Sequence, residues 1–365
     1  MAVTKLYPLN QSPLYRLTSK RKLADVLQIS LSDLLFIAKL DNNYREWPRK
    51  QKPQEELAGL KPPKPRLIQQ PKPVMNAVQK RIAQLLARLE KPAYVYSATK
   101  GRSYFDNAKE HRNPHPAIKI DIRDFYRSVK TKAVKEFFEF EMKCVPDVAH
   151  LLANLCCING FLPTGSAVSP VLSYFACSPM FRRIALTAEE NGLIFTLYVD
   201  DMVFSGPGAD REFLKKIWPE LSRNHLIGHK VSYFAAGEPK VVTGAVVWAD
   251  RIGIPHKRQK RIRFFERAFW RTQDPDEIEL LGKALLGQYR EGERVEVGSR
   301  ARAKPIQDRM DATQVLRFSD LTKVMVKKPK ERRRKIVLKR SKKNFQSLRD
   351  SVAMLRNQPA STQAI

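Results

Sequence analysis

The stretch Leu193–Gly206, LIFTLYVDDMVFSG, decides how this chain is read. Two short arms rich in β-branched and aromatic residues flank Val199-Asp200-Asp201, the pattern of a β-hairpin with an acidic tip. Two neighbouring carboxylates on an otherwise apolar hairpin repel each other, and a bound divalent cation removes that cost. Taken alone, a Y-x-D-D string is more often a solvated polar turn, because Asp favours turns.

A second site changes the balance. Upstream, AIKIDIRDFYRSV (117–129) reads as a buried strand running into a turn or short helix, with Asp121 at its end and Asp124 three residues on. A neighbouring strand that brings Asp121 beside the hairpin tip completes a site for two Mg²⁺ ions. Phosphoryl transfer to a nucleotide uses such a pair of ions about 3.5–4 Å apart, one activating the attacking hydroxyl and one holding the triphosphate. Hard Mg²⁺ selects oxygen ligands, hence carboxylates rather than His or Cys.

Charge points the same way. The 365 residues carry 67 Lys+Arg against 37 Asp+Glu, a formal net charge of +30, and 43% are apolar. A globular chain with that excess repels itself unless a polyanion is its habitual partner, and nucleic acid is the first candidate. No stretch approaches the roughly 18 uninterrupted apolar residues of a membrane span, and no membrane partner is expected. The four cysteines form no C-x-x-C pair, which suggests buried free thiols in a reducing cytoplasm. His225 and His229 are spaced for one helical face but lack metal-site companions, so both read as ordinary residues.

Residues 11–46 read as helices, with Ser30 and Ser32 as plausible caps. Residues 47–66 read as an extended basic loop, and 74–89 as an amphipathic helix. Residues 147–186 are mainly helical, interrupted by GFLPTGSAVSP, and KVVTGAVVW (240–248) is a strand pair or bent strand. From His256 the pattern is helical and basic, with Ile262, Phe265 and Phe269 on one side. Lys327–Lys343 holds eleven Lys or Arg and one acid, either an RNA-binding helix or a basic arm.

Three motifs occur in an order that resembles the reverse transcriptases: KIDIRDFYRSV (119–129) as motif A, LPTGSAVSPVLS (162–173) as motif B, and YVDD (198–201) as motif C. KPRLIQQP (64–71) is similar to the fingers segment of the bacterial members, and the resemblance covers about residues 10–290. NAKEH (107–111) and VTG (242–244) match two elements of the retron branch. On residues alone, the first is also a polar pair on a helix face and the second a strand ending in a bulge glycine.

The resemblance implies site residues. Asp121, Asp200 and Asp201 would be catalytic and hold two Mg²⁺ ions, with Asp124 left outside the metal set. Tyr126 sits at the steric-gate position that favours dNTPs. Lys64 and Arg66 would grip the triphosphate, Gly165 would let backbone approach the nucleotide or template, and Lys230 would be the motif D lysine. Asn107, His111, Val242, Thr243 and Gly244 would contact RNA or DNA, and Lys257, Arg258, Lys260 and Arg261 would track duplex phosphates. Thr164 and Tyr174 depart from the usual motif B residues, and Val199 and Tyr126 depart mildly in the other motifs.

The expected fold is α+β, a right-hand polymerase with fingers, a palm built on an antiparallel sheet, and a helical thumb. The expected divisions are an N-terminal helical extension (1–59), fingers and palm (60–250), and a basic thumb with an RNA-binding region (251–365). A retron-type enzyme would copy its own structured noncoding RNA into multicopy single-stranded DNA (msDNA), primed from a guanosine 2′-OH. It would act in antiphage defence beside a separate effector protein, with template removal by a host RNase H. The alternatives are another bacterial reverse transcriptase, group II intron-like or diversity-generating, and a catalytically idle RNA-binding scaffold.

Overall fold

A computed structural model describes residues 6–296 and 298–324. The chain opens with α1 (Lys20–Leu27), α2 (Leu31–Lys39) and β1 (Tyr44–Pro48), then α3 (Pro53–Leu57), β2 (Leu67–Pro71) and α4 (Pro73–Leu86). Next come α5 (Tyr104–Lys109), β3 (Ala117–Ile122), α6 (Phe125–Ser128) and α7 (Thr131–Glu136). A π-helical turn leads on to α8 (Pro146–Cys156). Helices α9 (Ser169–Ala176) and α10 (Ser178–Glu190) precede β4 (Ile194–Tyr198), β5 (Asp201–Ser205), α11 (Arg211–Arg223) and β6 (Gly228–Phe234). The described chain ends with β7 (Lys240–Val242), β8 (Ala245–Val247), β9 (Ile252–Gly253), α12 (His256–Arg271), α13 (Pro275–Gly292) and α14 (Ser299–Val324).

Local chemistry sets many of these boundaries. The hydroxyls of Ser19 and Ser30 accept from backbone N–H groups three residues on, capping α1 and α2. Ser103 and Asp106 form a reciprocal capping box on α5. Proline opens α3, α4, α8 and α13, where its missing N–H is not needed.

The chain divides into two compact units. Among the described residues, the first comprises residues 6–48 together with Leu67–Glu238; the second takes Arg49–Arg66 and residues 239–324. These cuts differ from the divisions expected at 59/60 and 250/251. Tertiary contacts move both segments, as Glu55 of α3 shows: it is buried and accepts from Arg261 of α12 at 2.5 Å, an ion pair across 206 residues.

The first unit is built on a four-stranded sheet in the order β4-β5-β3-β6 with every neighbouring pair antiparallel. Along β3, Ile118, Ile120 and Ile122 are fully buried while Lys119 and Asp121 are partly exposed, so alternation gives the sheet an apolar face and an open acidic and basic face. Helices pack on the apolar face: the Phe204 ring of β5 meets Phe213 of α11 at 4.9 Å, and Trp218 of α11 lies against Gly228. A separate two-stranded sheet pairs β1 with β2, from Tyr44 opposite Pro71 to Pro48 opposite Leu67. In the second unit, α12, α13 and α14 bury Phe265, Phe269, Leu281, Leu285 and Ile306 beside a small sheet of β7, β8 and β9.

Several expectations shift. Residues 44–48 are a strand rather than helix, and the basic loop at 47–66 contains α3. Ser30 caps α2, whereas Ser32 lies inside that helix with its hydroxyl 3.1 Å from that of Ser30. His225 lies in a turn and His229 in β6, so they share no helix. The basic run 327–343 lies outside the described residues.

Candidate active site

The acidic hairpin closes with a two-residue loop. Tyr198 pairs with Asp201, leaving Val199 and Asp200 at the tip. Val199 has φ of 60°, a left-handed conformation that a β-branched side chain adopts only at a cost of about 1–3 kcal/mol. The surroundings hold it there: Ile122 N–H donates to the Asp200 carbonyl at 3.0 Å, tying the tip to the end of β3.

That tie fixes the register that matters. Asp121 of β3 lies directly opposite Asp201 of β5, so the two carboxylates project from adjacent strands on the open face. Two lysines and a histidine surround them. Lys119 Nζ is 3.1 Å from Asp201 Oδ2, a diagonal cross-strand contact. Lys230 Nζ is 3.3 Å from Asp121 Oδ2 and His229 Nδ1 is 3.2 Å from Asp121 Oδ1. Consecutive strand residues normally point to opposite faces, yet His229 and Lys230 reach the same carboxylate. A bulge explains it: the β3–β6 register shifts between Lys119 and Asp121, and Lys230 has φ of 51°. The extra residue re-aims the side chain, as bulges beside functional sites do.

Burial pushes the Asp201 carboxyl above the usual carboxylate range. The Lys119 ammonium pulls it back, while the charge of Asp121 adds to the rise. The donor chemistry suits a hard divalent cation: carboxylate oxygens on adjacent strands, with Lys119 and Lys230 ion-paired to them in its place. Among the described residues no three His, Cys, Asp or Glu side chains converge as a ligand set. The structure therefore presents Asp121 and Asp201 as the register pair, with half-buried Asp200 beside them at the tip. Asp124 is exposed in the left-handed region just ahead of α6.

The other expected residues fall into distinct environments. Tyr126 is half-buried on α6 beside Phe125, with ring centroids 6.2 Å apart. Gly165 has a closer reason for being glycine than a nucleotide: a Cβ there would stand 2.6 Å from the Gln69 carbonyl oxygen of β2. Its N–H donates to that oxygen at 3.0 Å. Thr164 Oγ1 adds two bonds to the same strand, donating to the Leu67 carbonyl and accepting from Gln69 N–H. The 162–168 loop is thus docked edge-on against β2. Tyr174 is buried and stacks on Phe181. Lys64 and Arg66 are exposed residues of the second unit.

Two expected nucleic-acid contacts are instead interior residues. Asn107 and His111 are both 0% exposed, which leaves no surface for RNA or DNA. Both ring nitrogens of His111 lie 2.7 Å from hydroxyls, those of Ser205 on β5 and Thr196 on β4. A neutral imidazole offers one donor and one acceptor for that bridge. Val242 is also fully buried, so only Thr243 and Gly244 of that element reach the surface. Their φ values of 43° and 96° make a two-residue turn between β7 and β8, rather than a strand ending in a bulge. On α12, Lys257 and Lys260 are exposed. Arg258 faces inward to Glu291 at 2.6 Å, and Arg261 is bound to Glu55.

Sequence reading missed Lys119 and His229. Lys119 was legible, since K-x-D on a strand places both side chains on one face. His229 was not, because its aim depends on the bulge.

Residues 50–226 match the family model described as reverse transcriptase (RNA-dependent DNA polymerase). The segments similar to curated relatives include 205 residues shared at 29% identity with the Retron Ec86 reverse transcriptase of Escherichia coli, covering 54% of this chain and 63% of that one. Over these segments the chain is similar to the reverse transcriptases, those of retrons among them. The Retron Ec48 reverse transcriptase of Escherichia coli is 25% identical over 279 residues, 71% of this chain and 65% of that one. The Retron Se72 reverse transcriptase of Salmonella heidelberg is 29% identical over 143 residues, 39% and 38% of the two chains. The matched part therefore spans less than two thirds of each relative's length. Among solved structures, a foamy viral protease-reverse transcriptase with an RNA/DNA hybrid is similar at 14% identity and a TM-score of 0.42, covering 93% of this chain and 38% of that one. Another with double-stranded DNA has 12% identity and a TM-score of 0.41, covering 97% and 50%. Among the described residues, no helix is long and apolar enough to cross a membrane.

Proposed function

We propose that this chain is an RNA-directed DNA polymerase that uses dNTPs and two Mg²⁺ ions held by Asp121, Asp200 and Asp201. The observation that carries the reading is the direct register of Asp121 against Asp201, one residue from the acidic tip, on the open face of the sheet. Bound metal would supply activation of the primer hydroxyl and stabilisation of the leaving pyrophosphate. The protein's part is positioning. The hairpin tie through Ile122 holds the acids in place. Tyr126 presents a bulky ring against a ribose 2′-OH. Lys230, 68% exposed and paired with Asp121 at its bulge, stands beside the acids, where it would donate a proton to the leaving pyrophosphate. Lys64 and Arg66, which the resemblance assigns to the triphosphate, would offer a phosphate a point charge and a fork. In this reading 60–250 is fingers and palm and 251–365 is thumb and RNA-binding region, with Lys257 and Lys260 on duplex phosphates. Thr243 and Gly244 are left to meet the RNA.

The retron relatives support a narrower role. The enzyme would copy its own structured noncoding RNA into msDNA from a guanosine 2′-OH, beside a separate effector and with a host RNase H, in antiphage defence in the cytoplasm.

Expression with about a kilobase of native flanking DNA, followed by extraction of small nucleic acids and debranching, tests both levels. A discrete single-stranded DNA that shifts on debranching and disappears in the Asp200→Asn, Asp201→Asn variant supports the retron reading. Primer extension on RNA without a branched product leaves a reverse transcriptase of another group. No synthesis in either assay leaves an RNA-binding scaffold.

A further inference from the structure

A cavity of about 400 Å³ lies in the first unit, away from the acidic hairpin in sequence and built from three segments that share no motif. Helix α4 contributes Arg81, Gln84 and Leu85 on one stripe, and Arg88 follows in the turn just past its end. The N-terminal segment contributes Leu6, and the loop before α5 contributes Ala98 and Lys100.

The walls are preformed. Tyr7 N–H donates to the Arg88 carbonyl and Glu90 N–H to the Tyr7 carbonyl, both at 3.0 Å, while Tyr7 Oη donates to the Leu85 carbonyl at 3.1 Å. These bonds fix the N-terminal segment along the end of α4. Lys91 Nζ donates to the Ala98 carbonyl at 2.6 Å, holding the third wall. The cations are oriented too: Arg81 Nε donates to the Val26 carbonyl at 3.3 Å, and the Arg88 guanidinium lies 4.8 Å from the Tyr7 ring centroid.

The lining has a definite chemistry: three cationic side chains, one amide, an apolar floor that includes Leu6 and Leu85, and no acid. Arginine forks suit phosphate oxygens, and an apolar floor suits the flat face of a base. The volume falls at the small end of ligand pockets, about 300–1,000 Å³, which admits one nucleotide and excludes a duplex. Single-stranded RNA is recognised through just such splayed, unstacked residues.

We infer that this cavity is a second nucleic-acid site that takes one unstacked nucleotide of an RNA strand, its phosphate on Arg81, Arg88 and Lys100. The site's chemistry stands on its own lining; RNA as the source rests on the polymerase reading. A free nucleotide offers the same groups, so the test separates the two.

The full chain is photocrosslinked to a short oligouridylate carrying 4-thiouridine, with excess unlabelled oligouridylate or AMP as competitor, and the crosslinked peptides are mapped. Binding of the oligonucleotide is measured against salt for the wild type and for the Arg81→Gln, Lys100→Gln variant. Arg88 is left in place because it packs on Tyr7. Crosslinks within 81–88 or 98–100 are expected. The variant should bind about tenfold or more weakly, from the loss of charge-assisted bonds, and its log–log salt slope should shrink by up to about 0.7, the contribution of the one phosphate held there. Competition by the oligonucleotide alone supports an RNA residue, and equal competition by AMP supports a free nucleotide in the same pocket. Crosslinks confined to other segments, with an unchanged salt slope, overturn the proposal. Primer extension by the same preparation is read in parallel: its absence sinks the polymerase reading and leaves the crosslink result standing.

Discussion

Gly165→Ala separates two explanations of the motif B glycine. If Gly165 serves nucleotide approach, alanine leaves the free protein intact and weakens dNTP binding. The structure argues for a tether to β2. The new Cβ would stand 2.6 Å from the Gln69 carbonyl oxygen, 3.0 Å from its carbon and 3.2 Å from the Gln70 Cα, all backbone atoms. Backbone cannot rotate away as a side-chain tip does, so loop and strand must separate. Overpacking of this kind costs about 1–3 kcal/mol. Separation also weakens the Gly165–Gln69 hydrogen bond, worth about 1 kcal/mol. The sum is about 2–4 kcal/mol, which lowers Tm by at least about 4 °C for a unit of this size. Thermal unfolding of the substrate-free protein reads this directly. A Tm within a degree of wild type, with a raised KM for dNTPs, would refute the tether and restore the nucleotide explanation.

His111→Phe should lower Tm in the absence of any nucleic acid, because the bridge is lost and the Thr196 hydroxyl is left unsatisfied at about 1–3 kcal/mol, while Ser205 keeps the Asn113 amide; unchanged stability with weakened RNA binding would reinstate the contact role. Lys260→Met should reduce the duplex-binding salt slope by about 0.9 at constant stability, whereas Arg261→Met should lower Tm by stranding buried Glu55; identical behaviour of the two variants would refute the division of α12 into outward and inward cations. Burial pushes Lys91 down from 10.5 to about 8. Below pH 8 it is protonated both folded and unfolded, and burying that charge costs stability. Between about 8 and 10.5 the unfolded chain binds more protons, so stability from this group rises with pH. Lys91→Met should accordingly be more stable than wild type at pH 7, with the gap closing toward pH 10.5, and a gap that does not move with pH would count against it. Burial raises the thiols of Cys157 to about 11 and Cys177 to about 12 and lifts Cys156 as well. All four buried cysteines should resist a thiol-specific reagent in the folded protein at pH 8 and react together in guanidinium, which absorbance at fixed reagent concentration will show.

The sequence by itself determined the elements whose signals are local. The AIKI run marks β3 as a buried strand, the β-branched arms around Asp200-Asp201 mark the hairpin, and Ser30 marks the start of α2. The order of those elements, with the excess of cations, carried the resemblance to the family and the expectation for the acids. Contacts made across long separations were left to the tertiary structure. A strand's side-chain period says which face a residue takes but not which residue of another strand lies opposite, so the register of Asp121 with Asp201 came only from pairing. A bulge is a property of two strands together, which is why His229 read as ordinary while it lies 3.2 Å from Asp121. Burial likewise belongs to the assembled core: Asn107 and His111 are polar letters in a short helix and its following turn until β4 and β5 close over them. Gly165 is a loop glycine until β2 arrives beside it.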